Sequence, residues 1–147
     1  MLDITVKSFD ELSTKELYEL LQLRSEIFVV EQDCVYQDLD GKDQKALHII
    51  GTKNNSIVAY TRIFKAGDYM AQACIGRVAV KDGERKHGYG IAIMKASIKA
   101  VEEQFGESSI ALSAQTYLKR FYNSLGFQEK GGEYLEDGIP HVVMVRG

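Results

Sequence analysis

Leu2 to Ser8 alternates apolar and polar positions as a half-buried strand does. The period then changes: Leu17, Leu20, Leu21, Arg24, Ile27 and Phe28 fall mostly on one helical face, with Ser13 or Thr14 placed to cap it. The spacing predicts a helix from about Thr14 to about Val30, followed by an acidic, turn-like stretch from Glu31 to Gly41 that reads as a substrate-side wall. Leu47 to Thr52 and Ile57 to Lys65 read as strands joined through Asn54-Asn55-Ser56, a hairpin signal. Ala73 to Lys81 is a third strand, ended by Asp82-Gly83. Ile91, Met94, Ile98 and Val101 then build an amphipathic helix that Gly106 stops. Ser109 to Ser113 is a short strand, and Thr116 to Leu125 has helical spacing until Gly126. Phe127 opens the last strands, with Glu133 to Tyr134 and Val142 to Val145 predicted as a closing hairpin across Glu136-Asp137-Gly138.

At 147 residues the chain fits one domain, 1–147, and 45% hydrophobic residues suffice for a core without metal or disulfide staples. Cys34 and Cys74 have no close pair spacing and no secretory leader before them, so a reducing, cytoplasmic setting is expected for a soluble, unprocessed chain. No run approaches the ~20 apolar residues of a membrane span. The net charge of −3 argues against a broad nucleic-acid surface, which needs clustered Lys and Arg.

One stretch does carry local basic charge: Arg85-Lys86-His87-Gly88-Tyr89-Gly90, between a strand pattern and a helix pattern. A helix N-terminus exposes N–H groups with no intrahelical partner and carries partial positive charge, and Gly88 and Gly90 allow a phosphate close to the main chain. The loop lacks the Lys-Ser/Thr ending of a P-loop and the three-glycine spacing of a Rossmann unit.

The spacing Arg-x-x-Gly-x-Gly resembles the acyl-coenzyme A pyrophosphate loop of the GNAT N-acetyltransferases. Phe121-Tyr122-Asn123-Ser124-Leu125-Gly126-Phe127 is similar to that family's Tyr-x-x-x-Gly-Phe ending. The resemblance narrows to the ElaA-like branch through Leu23 to Gln32, Tyr36 to Gly41, Ile75-Gly76-Arg77-Val78 and Glu136 to His141. It implies an α/β (α+β) GNAT-type acyl-CoA N-acyltransferase fold: a central, mostly antiparallel mixed sheet with splayed middle strands, flanked by helices. Gln115 and His87 depart from residues common in the wider family.

The resemblance further implies acetyl transfer from acetyl-CoA to an amine of a small molecule or protein, with no metal. The donor is expected between the Ala73 to Lys81 and Ser109 to Ser113 strands. Main-chain groups of Val78, Ala79 and Val80 would pair with its pantetheine arm, helped by Gln115, while amides of Arg85, Lys86, His87, Gly88, Tyr89 and Gly90 would hold the pyrophosphate. Tyr122 matches the general acid that protonates the leaving thiolate.

The amine must lose a proton, and Glu31, Asp40 and His141 are the candidate bases, directly or through water. Arg24, Glu31, Gln37, Asp40 and Arg77 are expected to shape the acceptor side. Arg24 and Arg77, set in apolar segments, need acidic partners in the Glu31 to Asp40 region. The carboxylates Glu31, Asp33, Asp38, Asp40 and Asp43 would draw a cationic amine if they face the pocket. His48, Cys34 and His141 match no zinc spacing. A non-catalytic acyl-CoA sensor or interaction domain is the alternative reading, and a nucleotide- or phosphate-binding module a third; terminal strands of this architecture often help form homodimers.

Overall fold

The computed structural model describes residues 2–147. Its elements are β1 (Asp3–Ser8), α1 (Thr14–Arg24), β2 (Leu47–Lys53), β3 (Ser56–Phe64), β4 (Ala73–Val80), α2 (Tyr89–Ala100), β5 (Ile110–Gln115), α3 (Lys119–Asn123), β6 (Gln128–Glu129), β7 (Tyr134–Glu136) and β8 (Ile139–Arg146). All eight strands form one sheet in the order β1-β2-β3-β4-β5-β8-β6, with β7 also paired to β8. Every pairing is antiparallel except β4 with β5.

Local chemistry accounts for the element ends. Ser13 caps α1 in a reciprocal box, its hydroxyl accepting from the Glu16 N–H while the Glu16 carboxylate accepts from the Ser13 N–H. Asn54 and Asn55 take φ of 52° and 65°, the two left-handed residues that a tight hairpin demands between β2 and β3. Asp137 and Gly138 repeat the device between β7 and β8.

Both faces of the central strands are covered, so β2 and β3 are buried almost without interruption. Ile49 and Ile63 pack under α2 with Ile93, Met94 and Ile98, and Phe127 and Met144 join this core. Ile50, one position on, points to the opposite face, where Tyr60 and Ala79 meet Leu20 and Leu23 of α1 and Ile27 just beyond it.

Three expectations need correction. The first helix reaches Glu31, but from Ser25 onward it widens to π geometry, with the Gln32 N–H reaching back five residues to the Ile27 carbonyl. The expected Thr116 to Leu125 helix is a 3₁₀ turn over Thr116–Leu118 followed by the short α3, because no side chain caps its start and Gly126 at φ 93° turns the chain early. The chain ends in three strands rather than two: β6 is only Gln128–Glu129, too short to leave an alternating pattern.

Candidate active site

The sheet splits between its two parallel strands. β4 and β5 pair only at Ala73–Ile110 and Cys74–Ala111, and beyond those residues they diverge. A bulge in β4 marks the separation: Tyr60 faces Ala79 and Arg62 faces Gly76, so Arg77 and Val78 together oppose Thr61, with Arg77 in the left-handed region at φ 52°. The opened sheet leaves a cleft of about 850 Å³. Along it Val78, Ala79 and Val80 present a strand edge that β5 no longer covers, with Leu112, Ser113 and Gln115 on the other side. A missing strand is what an extended amide-bearing ligand replaces.

At one end of the cleft the glycine loop enters α2. Arg85–His87 forms one 3₁₀ turn, Gly88 sits at φ 73°, and no side chain caps the first turn of α2, so its leading N–H groups stay available to an anion. The loop residues do not contribute alike. Arg85 and Gly90 line the cleft, while Lys86, His87 and Gly88 form an exposed rim. Tyr89 is turned into the core beneath Lys53, so only its main chain can serve a ligand. Gly88 is needed for its backbone conformation, since a Cβ there would meet nothing within 4 Å. At Gly90 a Cβ would lie 3.4 Å from the Phe121 ring, in contact without a clash, so the packing neighbour rather than the backbone limits the side chain there.

The segment after α1 crosses the cleft and ties its parts together. The Glu31 carboxylate pairs with Arg85 through both guanidinium nitrogens at 2.7 and 2.9 Å, and Arg85 Nε also donates to the Val80 carbonyl. Gln32 exchanges hydrogen bonds with Gln115, and the Cys34 thiol donates to the Asp137 carbonyl. Glu31 thus binds the glycine-loop arginine rather than lying free at the cleft.

Tyr122 of α3 packs edge-on against Phe121 and Phe127, yet it lines the cleft. Its hydroxyl has no hydrogen-bond partner among the described residues and is not among the atoms sealed from solvent, so it opens onto the cleft. Burial first, with Tyr117 adding to it, pushes this phenol above its ordinary range and keeps it protonated.

Beyond the bulge the cleft ends on a cluster of three arginines and three aspartates. Arg24 donates to Asp38 at 2.9 Å and to Asp43 at 2.8 Å. Arg62 pairs with Asp40 at 2.6 Å and shares the same Asp43 oxygen at 2.9 Å. Arg77 donates to the Asp38 carboxylate and to its backbone carbonyl. Burial alone would raise the Asp40 and Asp43 carboxyls, but hydrogen bonds and charge from Arg62, joined at Asp43 by Arg24, hold both below the usual carboxylate range. Asp40 is consequently a weak base.

Two expectations for this end are overturned. Arg24 is fully buried and does not reach the cleft, so it positions Asp38 and Asp43 instead of touching substrate. The loop carboxylates do not face the cleft as a free anionic field: Asp38, Asp40 and Asp43 are each bound to arginine, and Asp33 points to the exposed surface. Gln37, Asp40 and Arg77 do line the cleft. Sequence reading missed Arg62; a cation inside the apolar run Ile57 to Phe64 was the available signal. His48 lies behind the cluster, where Nε2 must donate to the Asp43 carbonyl and Nδ1 must therefore accept from the Tyr60 hydroxyl.

The facing wall comes from β5, β7 and β8. His141 is buried to 6% exposure, stacks on Tyr134 and lines the cleft. Its Nδ1 lies 2.7 Å from the Ile139 carbonyl, which only accepts, so Nδ1 carries a proton and neutral His141 keeps its lone pair on Nε2. That nitrogen is 3.6 Å from the Glu136 carboxylate. Tyr134 and Ser113 are joined by their hydroxyls, and Ser113 also reaches Glu136. No group of three or more His, Cys, Asp and Glu that could hold a metal occurs among the described residues, and no helix among them is long and apolar enough to cross a membrane.

This geometry has close counterparts. Protein ElaA of Escherichia coli K12 is 44% identical over 138 residues, which cover 92% of this chain and 90% of that protein. A relative in Schizosaccharomyces pombe is 40% identical over 145 residues, covering 97% and 95%. The crystal structure of E. coli ElaA superposes with a TM-score of 0.93 at 40% identity over the whole of both chains. An acyl-CoA N-acyltransferase from Pseudomonas aeruginosa superposes equally well, at 39% identity and full coverage. The acetyltransferase (GNAT) domain profile matches residues 11–146, and with these relatives this chain belongs to the GNAT acetyltransferase family.

Proposed function

We propose that this chain is an N-acetyltransferase that moves an acetyl group from acetyl-CoA directly to a primary amine. The observation that carries the reading is the meeting, in one cleft, of an open β4 edge, an uncapped α2 N-terminus and the unpartnered Tyr122 hydroxyl. The residues fit the donor. Main-chain groups from Val78 to Val80 suit its pantetheine amides, and the leading N–H groups of α2 with Arg85 suit its pyrophosphate. Gln115 lies at the cleft but is engaged with Gln32, so it serves the donor only after that pair opens. When bound, the donor supplies a thioester whose acyl carbon accepts the amine.

His141 is the base the geometry favours. Asp40 is held by Arg62 and Glu31 by Arg85, whereas the Nε2 lone pair of His141 is available, with Glu136 placed to stabilise the imidazolium. As the new N–C bond forms, the amine proton passes to Nε2 directly or through water. As the C–S bond breaks, the Tyr122 hydroxyl gives its proton to the sulfur, and the phenolate then regains a proton while the imidazolium of His141 releases one, both through solvent in the cleft.

Calorimetric titration with acetyl-CoA, against ATP and dephospho-CoA as competitors, tests the donor assignment: saturable binding that ATP cannot match supports it, and no binding at millimolar ligand overturns it. Tyr122→Phe should then lower turnover about 10²-fold or more, the range for a general acid, and leave the donor Kd within about two-fold. Unchanged turnover would remove Tyr122 from the mechanism and favour a non-catalytic acyl-CoA sensor.

A further inference from the structure

We infer that the acceptor is a small amine that also carries an anionic group, seated against Arg77 and Lys42 while its amine points to His141; this rests on the transferase reading above. Within the cluster at the cleft end, three guanidiniums meet three carboxylates, and the ion pairs are satisfied internally. Lys42, which also lines the cleft, has no carboxylate partner among the described residues; its ammonium lies over the Tyr69 ring at 5.7 Å. Charge at this end is therefore positive by one, opposite to the attraction for a simple cation expected from the acidic run in the sequence.

Unused donors point the same way. Arg77 spends Nε and Nη2 on Asp38, and its Nη1 has no partner among the described residues. The left-handed backbone at the bulge sets Arg77 beside Val78, where the strand edge opens, a strained conformation that places a cation at the reacting end of the cleft. The spare Nη1 of Arg77 and the ammonium of Lys42, both at the cleft, are the donors an anion can take. Across the cleft, Glu136, Asp137 and His141 give the opposite wall an acidic and basic character suited to an amine. The two walls thus match the two ends of an amino acid or an amino phosphate.

The test measures thiol release from acetyl-CoA with β-alanine, 4-aminobutyrate and O-phosphoethanolamine, each against an uncharged partner: propylamine, butylamine or ethanolamine. The expected kcat/KM ratio of anionic to neutral amine is about ten-fold or more, the effect of one or two charge-assisted hydrogen bonds. The carboxylate and phosphate arms identify which anion the site takes. Arg77→Gln should collapse the ratio toward one, chiefly through KM, and Arg77→Lys should restore part of it. Lys42→Gln, at an exposed position that folding tolerates, should lower the ratio about three-fold or more. Equal use of charged and uncharged amines, a ratio insensitive to both positions, or acetyl-CoA binding with no turnover of any anionic amine would each overturn the inference. Failure of acetyl-CoA to bind would instead overturn the transferase reading itself.

Discussion

Replacing Asp43 by Asn removes one charge while keeping shape and one acceptor oxygen, and it strikes the centre of the arginine cluster. A single Asp43 oxygen accepts from Arg24 at 2.8 Å and from Arg62 at 2.9 Å, and the two guanidiniums are 0% and 1% exposed. Solvent cannot take over when the carboxylate charge is lost. Removing one partner of such a buried pair costs about 3–5 kcal/mol, and the retained amide oxygen places Asp43→Asn at the lower end, about 3 kcal/mol. For a chain of this size each kcal/mol moves the melting midpoint by about 2–4 °C, so the midpoint should fall by about 6–12 °C. Thermal melts followed by circular dichroism at pH 7 measure it, and raising the salt should change the difference little because the pairs are sheltered from screening ions. A double variant with Arg62→Met should recover part of the loss, since removing the stranded cation also removes its cost. A fall of less than about 2 °C would refute the idea that this cluster bears on the fold.

Other outcomes follow from the same contacts. Glu31→Gln frees Arg85 from a competing carboxylate, so the acetyl-CoA Kd should tighten several-fold with little change in stability, because exposed ion pairs contribute only about 0–1 kcal/mol; a turnover loss of about 10²-fold would instead make Glu31 the base. Gly90→Val forces methyl groups into Phe121 and Val80, which should cost about 1–3 kcal/mol and weaken donor binding in calorimetry. Burial holds His48 neutral by lowering its affinity for a proton, so its contribution to stability is intact above the unfolded value of about 6.5 and is lost as pH falls below it. Urea unfolding between pH 7 and 5 should show a decline of up to about 1.4 kcal/mol per pH unit, and a flat profile would place the His48 proton elsewhere.

How much was legible in the sequence depends on the range of the interaction concerned. Capping, turn chemistry and hydrophobic period act over a few residues, and so Ser13, the Asn54-Asn55 hairpin and the amphipathic α2 could be read directly. The glycine loop was legible for the same reason: a helix start and two glycines are adjacent in the chain. Its internal division was not, because the Phe121 ring that packs against Gly90 is about thirty residues away.

Local pattern was enough for the order of elements as far as Gly126 and for the need of Arg24 and Arg77 for acidic partners. Only the tertiary structure decided which carboxylate each arginine takes. Residues 38, 40 and 43 come from a loop without period, and their targets lie on α1, β3 and β4. It also decided that Glu31 closes on Arg85, that Arg24 is sealed from the cleft, and that His141 presents Nε2 to it. The physical reason is that charge and proton position depend on distance through space. Folding brought three arginines within hydrogen-bond reach of three aspartates and so neutralised an acidic stretch of chain, leaving Lys42 as the excess charge at that end of the cleft.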